Sequence, residues 1–348
     1  MKWHIFIMTV LMVCSHSLLA QSDKVDMRVI LLGTSGPEMS PDRSGYATLI
    51  EVGGKKLLFD AGRGVLQRLY ESEVDIKKVT TVFLTHLHND HIEGLASLWI
   101  TPWFLLGRTE QMKIWGPVGT LKMRDGMRTM YGHDVQNRSD EHNKKESLDL
   151  KVIEIENPKE NVCPKKGDPI SLGQELYKEK DNTPAAHEIK VTAFPVCHAD
   201  GNPAFGYSIT YNNRKVVLSG DTTYSRNVVH HGMNADLIVH NVIATGKDFS
   251  HTPEMQIILG KLTTPEQAAD VFKEAKPKMA VFSHIVKKGL PGAEGDKEIM
   301  KRTQETYKGP LEMGVDRMII DIGSQVRVIK PKVISDLTDL DFKKHPDK

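Results

Sequence analysis

From Met27 onward the chain alternates two patterns of apolar positions. Short runs of aliphatic and β-branched residues predict strands at Met27–Leu32, Tyr46–Val52, Lys55–Phe59 and Thr81–Thr85, punctuated by Gly, Pro and Asp. Gly53-Gly54 reads as the turn of a hairpin. Helical spacing predicts helices over Gly64–Glu71, Ile92–Leu106 and Thr120–Met130, with Pro102 expected to kink or end the second. Residues 133–150 are dense in His, Asn, Asp, Glu and Lys and read as an exposed segment. The second half repeats the style. Strands are predicted at Ile189–Val196, Gly206–Tyr211, Lys215–Ser219, Leu237–Asn241 and Met279–Ser283, and closing strands at Met318–Asp321 and Gln325–Ile329. Helices are predicted at Thr264–Ala275, with Thr263 or Thr264 as N-cap and Pro265 first, and at Ile299–Tyr307. Strands and helices interleave throughout, which implies α/β sheets covered by helices.

The two ends break this rhythm. Met1-Lys2-Trp3-His4 carries a positive charge, Ile5–Val13 is almost wholly apolar, and Ser17-Leu18-Leu19-Ala20 leads into polar residues. That is the layout of a cleavable secretory signal over 1–20, cut after Ala20, and it implies a secreted or periplasmic protein. The apolar stretch is too short to span a bilayer comfortably, so no membrane association is expected after cleavage. The domain is then 21–334, and 335–348 read as a polar tail. Losing Cys14 with the signal leaves Cys163 and Cys197, which suit a disulfide or two separate buried thiols equally well. With 46 Lys plus Arg against 45 Asp plus Glu, the net charge is +1, unlike the broad basic surface of a typical nucleic-acid binder.

The chemistry concentrates at residues 86–91, His-Leu-His-Asn-Asp-His. Three imidazoles and a carboxylate in six positions are the ligand types that Zn²⁺ accepts, in a number sufficient for two ions. Further candidates follow predicted strands: His198 in Cys197-His198-Ala199-Asp200, Asp221 in Ser219-Gly220-Asp221-Thr222, His240, and His284.

In this order the residues resemble the metallo-β-lactamase-fold hydrolases, and within them the branch of ribonuclease Z, the zinc arylsulfatases and related phosphodiesterases. The resemblance spans residues 28–330. Leu32-Gly33-Thr34-Ser35-Gly36, Leu58-Phe59-Asp60-Ala61-Gly62 and Val217-Leu218-Ser219-Gly220-Asp221-Thr222 resemble the family's successive motifs. Thr264-Pro265-Glu266-Gln267-Ala268-Ala269 and Phe282-Ser283-His284-Ile285-Val286 resemble the arylsulfatase-like members. The resemblance implies an αββα sandwich of two mixed sheets. It implies two Zn²⁺, with Mn²⁺ or Fe as alternatives: one held by His86, His88 and His198, the other by Asp90, His91 and His284, with Asp221 bridging. Asp60 would orient a ligand histidine. A water activated between the ions would hydrolyse an ester.

The expected substrate is a small-molecule ester, phosphodiester or aryl sulfate, with nucleic acid unfavoured and a homodimer left open. Trp99, Trp103 and Phe104 read as core or as an exposed patch. A degenerate metal binder, a lactonase or β-lactamase-like enzyme and a ribonuclease Z-like nuclease are the alternatives. One departure stands out. Ribonuclease Z-like members carry His-Glu where this chain has His240-Asn241, and a His where it has Leu262. That Glu–His pair serves leaving-group protonation in the relatives. Asp90, His240 and His251 are the candidate catalytic groups here, with His251 as a relocated acid.

Overall fold

The computed structural model describes residues 24–331 except 140–144, 159–162, 166, 202, 247, 250, 251 and 291. The expected signal and tail lie outside the described residues, as does His251.

One sheet contains β1 (Met27–Gly33), β2 (Ala47–Val52), β3 (Lys55–Phe59), β4 (Thr81–Phe83), β5 (Met112–Gly116) and β6 (Leu150–Glu154). The other contains β7 (Gln174–Lys180), β8 (Glu188–Val196), β9 (Ala204–Tyr211), β10 (Arg214–Leu218), β11 (Leu237–Thr245), β12 (Met279–Lys288) and β13 (Leu311–Met313). Two late strands, β14 (Met318–Ile322) and β15 (Val326–Ile329), return to the first sheet, giving the order β15-β14-β1-β2-β3-β4-β5-β6; the second runs β13-β12-β11-β10-β9-β8-β7.

The sequence pattern explains why the sheets stack. In β1, Val29 and Leu31 alternate with Ile30 and Leu32, and all four are buried. A strand covered on both faces loses the polar half of its alternation and reads as a continuous apolar run. Val29 and Leu31 join Phe59, Phe83, Tyr207 and Leu237 in the core between the sheets. Ile30 and Leu32 face outward to a layer that includes α1 (Val65–Glu71) and α3 (Leu95–Leu106), through Leu69, Leu98, Trp99 and Trp103. The second sheet's outer face is covered by α6 (Arg226–Gly232), α8 (Pro265–Ala275) and α9 (Gly292–Thr306), with Phe272 and Ile299 at the contact. Helices thus flank two packed sheets, the αββα sandwich that the resemblance implied. Among the described residues no helix is long and apolar enough to cross a membrane.

Several expectations need adjusting. The helix predicted from Ile92 is two, a single turn α2 (Asn89–Ile92) and then α3. Pro102 does not end α3, which continues to Leu106. The reason is Arg108. Pro102 has no N–H to offer the Leu98 carbonyl. The buried Arg108 guanidinium donates to Leu98 O at 3.1 Å and to Trp99 O at 2.6 Å instead. Burial without a counter-charge depresses its pKa to about 10. The segment 133–150 is not wholly exposed. It contains α5 (Gly132–Arg138), and Leu148 and Leu150 enter the outer core, where Trp99 Nε1 donates to Leu148 O at 2.8 Å. Trp99 and Trp103 are core, and Arg138 lies over the Phe104 ring at 3.9 Å. Strands β11 and β12 run several residues beyond their predicted ends. β5, β6, β7, α6, α7 (Pro253–Leu259) and the helix α4 (Thr120–Met130) complete the chain, and of these only α4 was predicted. Cys163 and Cys197 form a disulfide, with 5.0 Å between their Cα atoms.

Replacing Arg108 by Met should destabilise the fold by about 2 kcal/mol, because two buried carbonyls lose a charged donor. Adding Pro102→Ala should restore part of that loss, since an alanine at this position regains the N–H that donates to Leu98 O. Denaturant unfolding of the single and double variants tests this; no recovery would sink the explanation.

Candidate metal centre

The site lies where strand ends of both sheets meet. Residues 85–91 follow β4, and α2 carries Asp90 and His91. His198 follows β8, Asp221 follows β10, and His284 lies within β12. The β11–β12 register shifts at this last point, between His240 and Val242, and His284 takes a left-handed φ of 47°. A bulge of this kind re-aims a side chain that a regular strand would point elsewhere.

Three overlapping groups form: His86, His88 and His198; His86, His91 and Asp221; Asp90, His91 and His284, their ligand atoms within 4.8 Å of one another in each group. His198 Nε2 faces His88 Nδ1 at 3.2 Å. His284 Nε2 lies 3.1 Å from both Asp90 Oδ2 and Asp221 Oδ2. The structure thus brings all seven expected ligands together. It does not bring His240 to them. That side chain is buried against Phe272, its Nδ1 donates to Asn241 O at 2.8 Å, and burial lowers its pKa to about 4. His240 is thus a buried imidazole outside the three groups of donors.

Neighbouring groups fix which nitrogen each histidine presents. Asp60 has no exposure and accepts His91 Nδ1–H at 2.9 Å, leaving Nε2 to face the cluster. Asp60 also accepts the Thr85 N–H and hydroxyl, each at 2.8 Å. His198 Nδ1 donates to Lys261 O at 2.9 Å. Two glycines permit the close packing. A Cβ on Gly62 would sit 2.3 Å from Asp90 O, and one on Gly201 would sit 2.0 Å from His198 Cδ2.

The electrostatics suit cations. Burial pushes His86 well below the usual imidazole range and also lowers His88. Burial is also the largest single influence on His91 and His284, but the neighbouring carboxylates together exceed it and raise both: Asp221 with Asp60 for His91, and Asp221 with Asp90 for His284. Asp221 is held well below the usual carboxylate range against its burial, chiefly by His284 and His91. His86 Nε2, His91 Nε2, His284 Nδ1 and Asp221 Oδ1 are buried without a hydrogen bond. Unpaired buried polar atoms are costly. Divalent ions ligated here would replace the protons and satisfy His86 Nε2, His91 Nε2 and Asp221 Oδ1, so the donor set fits a metal centre.

Sequence reasoning missed several supporting groups. Tyr46 packs its ring 5.3 Å from His91 and 5.7 Å from His284, with no motif to announce it. The Lys261 carbonyl carries no side-chain signature at all.

Fold and site together define a metallo-β-lactamase-fold hydrolase, a metal-dependent enzyme acting on ester bonds. Residues 27–264 match the family described as Anti-Pycsar protein Apyc1, and the chain belongs to that family. It is also similar to ribonuclease Z of Mycobacterium marinum, 28% identical over 302 residues (85% of this chain, 99% of the relative), and of Mycolicibacterium gilvum, 29% identical over 298 residues (83% and 94%). Among solved structures, the short form of human tRNase Z aligns with a TM-score of 0.60 at 26% identity, covering 85% of this chain and 99% of its own. The metallo-β-lactamase fold protein YhfI of Bacillus subtilis aligns with a TM-score of 0.60 at 17% identity, covering 84% and 98%. These relatives correct the substrate expectation. The two mycobacterial relatives and the human tRNase Z are ribonucleases matched along nearly their whole length, and near-neutral net charge did not justify setting nucleic acid aside.

Asp60→Asn should weaken metal binding by about 10–100-fold, because an amide donor toward His91 would favour the wrong imidazole tautomer. Competition with a chromophoric chelator measures this, and an affinity equal to wild type would show that Asp60 does not orient His91.

Proposed function

We propose that this chain is a phosphodiesterase of the ribonuclease Z type, hydrolysing phosphodiester bonds of RNA with two zinc ions. The observation that carries the reading is the seven-ligand cluster around Asp221, on a chain alignable almost end to end with ribonuclease Z. His86, His88 and His198 would hold one ion, Asp90, His91 and His284 the other, and Asp221 both. When bound, such a pair would supply an activated water and neutralise charge on the phosphate's oxygens. The chain's part is to hold seven donors rigidly, with Asp60 and Lys261 fixing His91 and His198.

Leaving-group protonation is where this chain differs. Asn241 cannot carry a proton charge, and Leu262 is packed with Ile243 and Val286. The rate should therefore rise steeply as the leaving group's pKa falls. A panel of phosphodiesters with graded leaving groups, RNA included, run with aryl sulfate and nitrocefin, tests the reading. Metal content and RNA cleavage should both fall in His88→Ala. Metal-loaded wild type that leaves RNA and every diester intact would overturn it.

We also propose export. The N-terminal signal pattern and the Cys163–Cys197 disulfide both support an oxidising compartment. Mass spectrometry of protein from an exporting host should find Gln21 as the first residue; an intact N-terminus would count against export.

A further inference from the structure

Asn241 stands where the relatives' acidic residue is expected, and its contacts give it a different task. It is buried, and its Nδ2 donates to Thr222 O at 2.9 Å. Its backbone N–H donates to Ser219 Oγ at 3.1 Å, a hydroxyl whose own proton goes to Gly220 O at 2.7 Å and which lies 3.4 Å from Asn241 Oδ1. Thr263 Oγ1 donates to Thr222 O as well, at 2.6 Å. Thr222 is itself a junction. Its Oγ1 accepts the Cys197 N–H at 3.1 Å, and Thr223 N–H donates to Cys197 O at 2.9 Å. Thr222 adjoins Asp221, and Cys197 adjoins His198. One peptide carbonyl, gripped by two side chains, therefore governs the backbone that carries two ligands from separate strands.

We propose that Asn241 is a positioning residue for the metal centre, acting through Thr222 on Asp221 and His198. This rests on reading the seven side chains as a metal centre. The essential atom is the Nδ2 donor. A carboxylate of the same size would set an acceptor against the Thr222 carbonyl, so Asn241→Asp should fail as Asn241→Ala does. Thr263→Val removes the second donor with little change of shape, and the double variant should be weaker than either single one.

The test is Zn²⁺ competition against a chromophoric chelator, with the absorption spectrum of the Co²⁺-loaded protein reporting ligand geometry. Wild type, Asn241→Ala, Asn241→Asp, Thr263→Val and Asn241→Ala/Thr263→Val are compared, with Tm recorded for each. Arg108→Met serves as a variant destabilised far from the site. The expected result is roughly 10–100-fold weaker Zn²⁺ binding and an altered Co²⁺ spectrum in the Asn241 variants, with Arg108→Met unchanged in both. Wild-type affinity and spectrum in Asn241→Ala and the double variant, with only Tm lowered, would overturn the proposal. So would full affinity in Asn241→Asp. A wild-type protein that binds no Zn²⁺ would overturn the metal-centre reading itself.

Discussion

The site depends on a single buried carboxylate. Asp60, at the end of β3, accepts both donors of Thr85 and the Nδ1–H of His91, and so ties the start and the end of the ligand loop to one point. Burial alone raises its pKa, and the bonds from His91 and Thr85 act against that rise. Its φ of 59° turns the chain back sharply, and Ala61 N–H then donates to His91 O at 2.7 Å. A non-glycine residue keeps that conformation only where its surroundings over-determine it. The ligand loop and the strand end are thereby one rigid body, against which the second sheet presents His198, Asp221 and His284.

Much of this was visible in the sequence, for physical reasons that also explain what was not. The ligand loop is conspicuous because its four donors are local, and hydrophobic burial gives no reason to gather them. Asp221 and His284 could be placed because they follow buried apolar runs, and His198 because it follows a strand whose alternation gives way to one. β7, by contrast, is Gln-Glu-Leu-Tyr-Lys-Glu-Lys at the edge of its sheet, with no residue fully buried. Polar edge strands emit almost no hydrophobic signal. Leu148 and Leu150 are two apolar residues in a polar stretch, and only their docking beneath Trp99 shows that they matter. For His240, position after a strand does not reveal which face the side chain takes. Asn241 and His240 alternate, and it is Asn241 that reaches the Asp221 turn.

Net charge misled in another way. A balance of 46 basic and 45 acidic residues reports a sum, while phosphate recognition depends on where charges lie. Cations held by the seven donors would themselves carry charge toward a phosphate, and the sequence total does not count them.

The neutral residues at 241 and 262 are best understood together. A glutamate at 241 would be buried among the Ser219 hydroxyl and the Thr222 carbonyl, close to a cluster that already holds Asp90 and Asp221. An ionised carboxylate in such a place needs a cationic or donating partner, since an unpaired buried charge is strongly destabilising. In the relatives' pattern a histidine supplies it. Here that position is Leu262, sealed with Ile243 and Val286 beneath Ile258 and Leu259. Once leucine fills that small core, a charge at 241 has nothing to pair with, and asparagine, shorter by one methylene and uncharged, places an amide donor there instead. The same exchange turns an acceptor into the donor that grips Thr222. Loss of the proton-handling pair and gain of a neutral brace are thus one structural change, and the ligands on either side of Thr222 are held by what replaced the acid.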